Sequence, residues 1–334
     1  MPRVSVLLPA RNAEATLRPA LRSILRQSFR DLELVAVDDG STDGTAAILA
    51  EAAAADPRVR VVRGPGRGIV AALEAGRAIC TGELVARMDA DDVAHPARIA
   101  EQVARLDGDP SLDGLGCNVA MFPPQRIAEG MRLYVGWLNG LHTAEDVARE
   151  RFVESPLVHP AVILRAAALE AVGGYVERGW PEDYDLWLRL LGNGARLANL
   201  PAVRLFWRDH GRRLTRTDPR YGKPAHLALK AWHLARGPLA ASRRCAIWGA
   251  GKTGKALARA LAAEGVSVEW WIDVAPRKVG GTAQGAPVLG PDALPPKGGP
   301  LLLVAVAARG ARAEIRDHLA GAGWEEGRDY LVCW

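Results

Sequence analysis

The N-terminal half of the chain alternates short apolar runs with segments whose apolar residues recur at helical spacing. Short, mostly apolar runs predict strands at residues 4–8, 32–37 and 59–62. One helix face collects Leu17, Leu21, Ile24 and Leu25, and further helices are predicted up to Ala55 and over residues 69–79. This alternation predicts an α/β fold with a mostly parallel sheet flanked by helices, which binds ligands at the carboxyl ends of its strands.

Acidic residues follow two of the predicted strands. The run at 32–37 leads into Asp38 and Asp39, and a strand predicted from residue 83 leads into Asp89, Asp91 and Asp92. Carboxylates this close repel one another, so a fold usually keeps them where a divalent cation or a cationic partner neutralises them. The alternative is a solvated turn, because aspartate is common in turns. Since both strands end at one edge of the predicted sheet, the pattern favours a metal-assisted nucleotide site.

Four segments resemble, in the same order, the motifs of family 2 glycosyltransferases with the GT-A fold. They are VSVLLPARN at 4–12, VDDGSTDG at 37–44, MDADD at 88–92 and GWPEDYDLWLR at 179–189. Four motifs in order are more specific than any one of them, and together they cover roughly the first two-thirds of the chain. The resemblance implies a GT-A nucleotide-diphospho-sugar transferase that moves a sugar from a UDP, GDP or dTDP sugar to an acceptor hydroxyl.

The resemblance also implies a metal site. Asp91 matches the second aspartate of the family's Asp-x-Asp motif and is expected to coordinate Mn²⁺ or Mg²⁺ directly. Asp89 is expected to contact the ribose, or the metal through water, and Asp92 is a weaker candidate. A divalent cation at this place would stabilise the charge that grows on the departing diphosphate.

Nucleotide contacts follow from the same resemblance. Asp39 is expected to accept a hydrogen bond from the base. The other positions expected to hold the nucleotide are Pro9, Ala10, Asn12 and Arg67, with Arg63 as an alternative to Arg67. Arg11 stands where many relatives have an aromatic residue that stacks on the base. A guanidinium can stack on a ring as well, so nucleotide binding is still expected while the identity of the base stays open.

The expected catalytic base is Asp183, with Glu182 and Asp185 as rivals. An alcohol is barely acidic, so a carboxylate helps only if it is placed to take the proton as the new bond forms. The same carboxylates would also complement the positive end of a helix predicted to begin here, which is a purely structural explanation. Direct displacement by the activated hydroxyl would invert the anomeric configuration, as is usual in the family.

Further candidate contacts lie near the predicted base and in a basic stretch at residues 208–216. Trp180 is either a platform for a sugar ring or a core residue, and His159 either approaches the acceptor or diphosphate or is structural. In the basic stretch, Arg208 and His210 match a family region that often carries these residue types. The stretch is either a solvated loop or a clamp over a diphosphate or an anionic lipid-linked acceptor.

Composition limits the alternatives. The net charge is +5, but no lysine occurs before Lys223, which excludes a P-loop or Schiff-base lysine in the N-terminal part. No nucleic-acid module accompanies the charge, so no nucleic-acid partner is expected. No signal-like or membrane-spanning segment is apparent, and the expected location is the cytoplasm, with at most peripheral association at the inner face of the membrane. The four scattered cysteines are expected to be reduced structural thiols.

A second domain is predicted after the closing helix, which gives boundaries of 1–236 and 243–334. A strand leads into Gly249, Gly251 and Gly254, and Asp273 closes the next strand, as in a dinucleotide fingerprint. The P-loop alternative fails because Ala256 stands where a hydroxyl should bind magnesium. This small Rossmann-like domain binds a nucleotide, docks a partner or has a structural role.

Two other function classes remain to be weighed. Sugar-phosphate nucleotidyltransferases use a similar fold, but the glycine-rich loop and basic cluster they need are missing after the first strand. A nucleotide-binding or NAD-linked protein, with its activity in the C-terminal domain, is the main alternative. The expected acceptor is a saccharide or a lipid-linked saccharide in polysaccharide or glycoconjugate biosynthesis, and its contacts are expected from residues 114–152.

Overall fold

The computed structural model describes residues 1–295 and 297–334. They form two compact units. The first contains Met1–Ala148, Ser155–Arg178 and Glu182–Thr217, and the second contains Arg149–Glu154, Gly179–Pro181 and Asp218–Trp334. The helix that the sequence assigned to the end of the first domain therefore groups with the second unit, as do two short segments from the middle of the chain.

The first unit is an α/β structure built around one sheet. Its strands are β1 (Val4–Ala10), β2 (Leu32–Asp38), β3 (Val59–Arg63), β4 (Leu84–Arg87), β5 (Val93–Ala94), β6 (Gly114–Phe122), β7 (Ile163–Arg165) and β8 (Leu197–Arg208). The helices along this part of the chain are α1 (Glu14–Leu25), α2 (Thr45–Ala55), α3 (Ile69–Arg77), α4 (Arg98–Gly108), α5 (Glu129–Leu138), α6 (Ala144–Glu150), α7 (Ala166–Ala171), α8 (Glu182–Gly192) and α9 (Leu214–Thr217). No helix in the described residues has the length and apolarity needed to cross a bilayer.

The sheet has the strand order β3-β2-β1-β4-β7-β6-β8-β5. The first four of these neighbours pair in parallel, and so do β6 and β8. The short strand β7 runs antiparallel between β4 and β6, and β5 runs antiparallel to β8. The predicted α/β fold with a mostly parallel sheet is therefore confirmed.

Strand β1 is central, and every residue of it is buried. Val6 and Leu8 pack into one apolar cluster, whereas Leu7 packs into a second cluster. Successive side chains of a strand point to opposite faces, so this division places an apolar core on each side of the sheet. Burial on both faces explains why the run at 4–8 is mostly apolar, and its one polar residue, Ser5, donates its hydroxyl to Glu33 Oε1 over 2.6 Å.

The parallel pairing also fixes where the polar motifs lie. In register, Ala10 of β1 pairs with Asp38 of β2, and Leu7 of β1 pairs with Arg87 of β4. The segments that follow these three strands therefore leave the sheet at the same edge. This edge receives the residues after β1, the acidic turn after β2 and the acidic cluster after β4.

The second unit has its own sheet, with the order β11-β12-β10-β9-β13-β14. Its strands are β9 (Arg244–Trp248), β10 (Ser267–Ile272), β11 (Thr282–Ala283), β12 (Ala286–Leu289), β13 (Leu301–Val304) and β14 (Tyr330–Val332). Its helices are α10 (Lys223–Arg236), α11 (Lys252–Ala263) and α12 (Ala311–Gly321). All neighbours pair in parallel except β11 and β12, which form an antiparallel pair.

The glycine turn between β9 and α11 is a packing requirement. A Cβ on Gly254 would lie 1.9 Å from the backbone oxygen of Gly249, whereas a Cβ on Gly251 would meet nothing within 4 Å. The third glycine of the turn is thus needed because helix and strand approach each other closely.

We expect Gly254→Ala to destabilise the second unit by about 1–3 kcal/mol, because the added methyl group meets backbone that cannot rotate away. Gly251→Ala is the matched control and should leave stability unchanged or slightly raised. Urea denaturation of both full-length variants measures this. Equal midpoints for the two variants would contradict the packing explanation.

Candidate active site

Three carboxylates gather directly after β4. Asp89, Asp91 and Asp92 each offer one oxygen, and these oxygens all lie within 4.8 Å of one another. Asp92 is almost completely buried, and its Oδ2 has no hydrogen-bond partner among the described residues. A buried oxygen without a donor is costly, and an all-oxygen carboxylate set is what hard divalent cations prefer. The residues present therefore fit Mg²⁺ or Mn²⁺.

The three carboxylates have different acidities. Burial and the neighbouring charge of Asp89 raise the pKa of Asp91. The pKa of Asp92 lies well above its usual value, because of burial first and the charges of Asp89 and Asp91 second. For Asp89, burial opposes ionisation, but the charge of Arg87 and its hydrogen bond outweigh burial and lower the pKa. Negative charge is thus crowded here, and a cation would relieve the crowding.

The basic stretch packs against this cluster. The backbone N–H of Arg208 donates to Asp92 Oδ1 over 2.7 Å, and Arg208 Nε donates to the backbone oxygen of Asp91 over 2.6 Å. His210 Nε2 lies 2.7 Å from Asp91 Oδ2. Since His210 Nδ1 accepts from the N–H of Arg212, the proton of a neutral imidazole sits on Nε2 and points at Asp91. The acidic cluster after β4 and the basic stretch at residues 208–216, which the sequence predicted separately, are therefore in contact.

Two arginines of this stretch are held by aromatic rings. The Arg208 guanidinium lies 4.4 Å from the centre of the Phe122 ring, and that of Arg213 lies 4.1 Å from the centre of the Trp207 ring. Cation–π contacts of this kind fix the side chains near the surface. Arg208 and Arg213 are therefore packed against rings, and the contact of Arg208 or His210 with a diphosphate stays a prediction.

Asp39 lies at the same edge, after β2. Its Oδ1 accepts from the N–H of Gly66 over 2.8 Å, and its Oδ2 accepts from the N–H of Gly68 over 2.9 Å. The carboxylate thus fixes the loop that carries Arg67, whose side chain is exposed. Asp39 is buried, with each carboxylate oxygen keeping a second lone pair, and its hydrogen bond to a base stays a prediction.

The end of β1 and the two residues after it contain four of the positions expected to hold the nucleotide. Pro9 and Ala10 are buried at the end of β1, and the exposed Arg11 guanidinium lies 3.9 Å from Asp39. Asn12 has a positive φ, and its side-chain oxygen accepts from the N–H of Thr42 over 2.8 Å. Asn12 therefore joins the turns after β1 and β2, and its amide N–H groups are what it can offer to a ligand. The nucleotide contacts of all these residues stay predictions.

The predicted base lies in the first turn of α8. Asp183 is half-buried, and its Oδ1 accepts from the N–H of Tyr184 over 2.7 Å. Burial, followed by the charge of Glu182, raises the pKa of Asp183 to about 8. A carboxylate with a pKa near the working pH is suited to general base catalysis.

The two rivals of Asp183 are engaged differently. Asp185 is fully buried, and its Oδ2 accepts from Arg189 Nε over 2.7 Å. Glu182 is buried as well, with its Oε1 3.7 Å from His159 Nδ1. The ion pair of Asp185 gives it a structural explanation, and Glu182 acts on Asp183 through its charge.

His159 belongs to a buried polar network. Its Nε2 lies 3.0 Å from the hydroxyl of Tyr175, and burial, with the charge of Arg87 as the second cause, lowers its pKa. A neutral His159 can thus accept from Tyr175 while facing Glu182. These contacts support the structural alternative for His159, and its approach to a substrate stays a prediction.

Trp180 groups with the second unit, where its ring centre lies 6.0 Å from that of Trp232. This contact favours a packing role. Its proposed contact with a sugar stays a prediction.

The glycine turn of the second unit has its predicted form, with Gly249 at positive φ. Asp273, however, is engaged inside the protein. Its Oδ2 accepts from the N–H of Ala250 over 2.9 Å and from Lys278 Nζ over 2.7 Å, and its Oδ1 accepts from the N–H of Ala275. Burial opposes ionisation of Asp273, but Lys278 and the backbone donors lower its pKa. A nucleotide at this turn stays a prediction.

Sequence reasoning did not single out Arg87, Arg98 or Tyr175, which the structure places in buried polar contacts near the candidate residues, and it gave Asp92 as the weaker candidate of the acidic trio. A basic residue inside the apolar run before Asp89 was a signal for Arg87. No local signal distinguishes Asp92, whose burial depends on β8.

A family model for glycosyl transferase family 2 matches residues 5–172, about half of the chain. The chain is 33% identical over 204 residues to the putative glycosyltransferase EpsE of Bacillus subtilis, across 60% of this chain and 70% of that protein. It is 31% identical over 202 residues to the amylovoran biosynthesis glycosyltransferase AmsE of Erwinia amylovora, across 60% of this chain and 73% of that one.

Solved structures share the fold. S. aureus TarS 1–349 in complex with UDP-GlcNAc gives a TM-score of 0.57 at 20% identity, across 78% of this chain and 71% of that chain. The mannosyltransferase PcManGT from Pyrobaculum calidifontis, in complex with GDP-Man and Mn²⁺, gives a TM-score of 0.50 at 25% identity, across 79% and 69%. With the family model and these relatives added to the motifs and the sheet, the chain belongs to glycosyltransferase family 2 and is an enzyme of the GT-A fold.

Proposed function

We propose that the protein transfers a sugar from a nucleotide-diphosphate sugar to an acceptor hydroxyl, with inversion and with a divalent cation at the acidic cluster. The observation that carries the proposal is the trio Asp89, Asp91 and Asp92 with a buried, unpartnered oxygen at the ligand-binding edge of the sheet. A divalent cation bound there would offset the negative charge that develops on the departing diphosphate. The solved complex of PcManGT with GDP-Man and Mn²⁺ supports the proposal of a divalent cation.

The chain's own residues would divide the work between two places. At the donor edge, Asp39 holds the loop of Arg67, which would contact the nucleotide, and Arg208 and His210 would face the diphosphate from the basic stretch. At α8, ionised Asp183 would accept the proton of the acceptor hydroxyl while the oxygen of that hydroxyl bonds to the anomeric carbon. The bond from that carbon to the diphosphate breaks on the opposite side, which inverts the configuration.

The donor and the pathway are part of the proposal. TarS was solved with UDP-GlcNAc and PcManGT with GDP-Man, so a UDP or GDP sugar is the donor class to test first. The name of AmsE refers to amylovoran biosynthesis, and we place this chain in polysaccharide or glycoconjugate biosynthesis by that likeness. The acceptor would be a saccharide or a lipid-linked saccharide.

A thermal-shift panel tests the donor site. UDP, GDP, dTDP and NAD⁺ would each be added to the full chain with and without Mn²⁺. One nucleoside diphosphate should stabilise the protein in a metal-dependent manner, by about 2.7 kcal/mol at 100 times its Kd. Stabilisation by NAD⁺ alone, without any metal effect, would transfer the activity to the second unit.

In the same panel, Asp91→Asn should abolish the metal-dependent part of the stabilisation, because the amide removes one anionic ligand from the cluster. Asp317→Asn, an exposed aspartate of α12, is the control and should behave like the wild type. An Asp91→Asn protein with the wild-type Mn²⁺ response would show that Asp91 is not a ligand.

Asp183→Asn should retain donor binding and lose about 10²–10⁴-fold in transfer rate, because the amide cannot accept the proton. Binding is measured by thermal shift and transfer by release of the nucleoside diphosphate in the presence of acceptor. Near-normal turnover in this variant would reassign the base to Glu182.

The pH profile gives an independent test of the base. Below its pKa of about 8, Asp183 carries a proton and cannot accept another, so kcat/KM should rise with pH and level off above pH 8. Glu182→Gln removes the charge that helps to raise this pKa, so the midpoint should move to lower pH. A midpoint that stays in place would show that Glu182 does not set the acidity of the base.

A further inference from the structure

Helix α4 buries an arginine that neither the motifs nor the proposed mechanism uses. Arg98 is completely buried at the start of the helix. Its Nη2 donates to the backbone oxygen of Arg87 over 2.8 Å, and its Nη1 donates to the backbone oxygen of Pro160 over 2.6 Å. Arg87 ends β4 just before the acidic cluster, and Pro160 follows His159. One guanidinium therefore joins the end of β4 to the turn that contains His159, two segments that are distant in sequence.

The next turn of α4 repeats this arrangement. Gln102 is also fully buried, and its Nε2 donates to the backbone oxygens of Leu115 and Ala161 over 3.0 and 2.8 Å. Residues four apart lie on the same helix face, so Arg98 and Gln102 hold the turn His159–Ala161 at adjacent carbonyls. The start of α4 is also bonded to the segment after α1, because the N–H of Ile99 donates to Gln27 Oε1 over 3.0 Å.

The charge of Arg98 is expensive to bury. Along the described chain, no carboxylate lies within 4.0 Å of its guanidinium nitrogens, and burial lowers its pKa to about 10. Burying an ion without a carboxylate in direct contact is costly, and an apolar side chain of similar volume would avoid that cost. The two charge-assisted hydrogen bonds that reach separate segments are what an apolar residue could not provide.

We infer that Arg98 is a positioning residue, which sets the acidic cluster and the His159 turn in one fixed arrangement through the backbone oxygens of Arg87 and Pro160. The inference rests on the proposed function for its consequence, since the arrangement serves metal binding at Asp89, Asp91 and Asp92. Arg98 touches neither substrate nor metal in this account. Its effect on the site is transmitted by the end of β4 and by the turn at 159–161.

Three variants of the full chain test the inference. Arg98→Met keeps the length of the side chain and removes its donors and charge, and replacing a buried charge in this way need not destabilise the fold. Arg98→Lys keeps the charge and can reach one carbonyl. Arg105→Met is the matched control, because Arg105 lies on the same helix with an exposed side chain paired to Asp109.

The first measurement is hydrogen–deuterium exchange of peptides covering residues 84–93 and 157–163. In Arg98→Met, both peptides should exchange faster than in the wild type and in Arg105→Met, while peptides from β1 and β2 should be unchanged. Unchanged exchange in either peptide would overturn the inference. This measurement needs no ligand, so its result stands even if the proposed function fails.

The second measurement is binding of Mn²⁺ alone, followed by the electron paramagnetic resonance signal of the free ion. Arg98→Met should weaken binding about 10–100-fold, as is typical when a residue that orients ligands is lost, and Arg98→Lys should restore part of it. Unchanged or tighter binding would overturn the inference, because losing a nearby positive charge without loss of position should strengthen cation binding. If the wild type binds no Mn²⁺, the metal site of the proposed function fails, and the exchange result alone decides the role of Arg98.

Discussion

The parallel, in-register pairing of β1 with both β2 and β4 determines the rest of this structure. Because Ala10 pairs with Asp38 and Leu7 pairs with Arg87, three chain segments must leave the sheet at one edge. The polar residues that follow the strands then have little choice of location. The strand pairing places Asp39 and the cluster that begins at Asp89 at the same edge of the sheet. The apolar cores on both faces make this register hard to change, since a shift by one residue would move the β1 side chains to the opposite core and disrupt the packing of both.

That placement creates an electrostatic problem which the remaining contacts solve only in part. Arg87 compensates Asp89, and His210 donates to Asp91, but Asp92 has one backbone donor and a second oxygen without a partner. The order of their pKa shifts follows this order of compensation, from lowered at Asp89 to strongly raised at Asp92. An environment built only for stability would not crowd carboxylates in this way. The deficit of positive charge is therefore best understood as the capacity of the site for a cation.

The elements near the N-terminus could be predicted because their signals are local. The run at 4–8 and the helix face around Leu17 need only neighbouring residues to be recognised, and the structure differs by a few residues at their ends. The secondary structure of residues 114–152 could not be predicted from local signals, because β6 is positioned by its pairing with β8, far along the chain. The same limit applies to the site. Asp89 and Asp91 can be recognised by their resemblance to the family's Asp-x-Asp motif. The contacts of Arg98 cannot be recognised locally, because Pro160 lies 62 residues away in the sequence.

Asp39 and Asp273 show why a motif cannot by itself identify a ligand site. Each follows the second strand of its sheet's βαβ unit, and each accepts hydrogen bonds from backbone N–H groups of a glycine-containing loop. Asp273, however, also accepts from Lys278 Nζ at 2.7 Å, so its charge is compensated within the protein. In the ion pairs of the described residues, the cation within 4.0 Å of Asp39 is the exposed Arg11, at 3.9 Å, which is a longer and looser pair than that of Asp273 with Lys278. The two aspartates thus share a backbone arrangement but differ in how closely a cation pairs with them, and a ligand at either one stays a prediction. Gly254 is required by its close approach to Gly249, and Gly249 by its positive φ, whether or not a nucleotide binds, whereas a side chain at Gly251 would meet nothing within 4 Å.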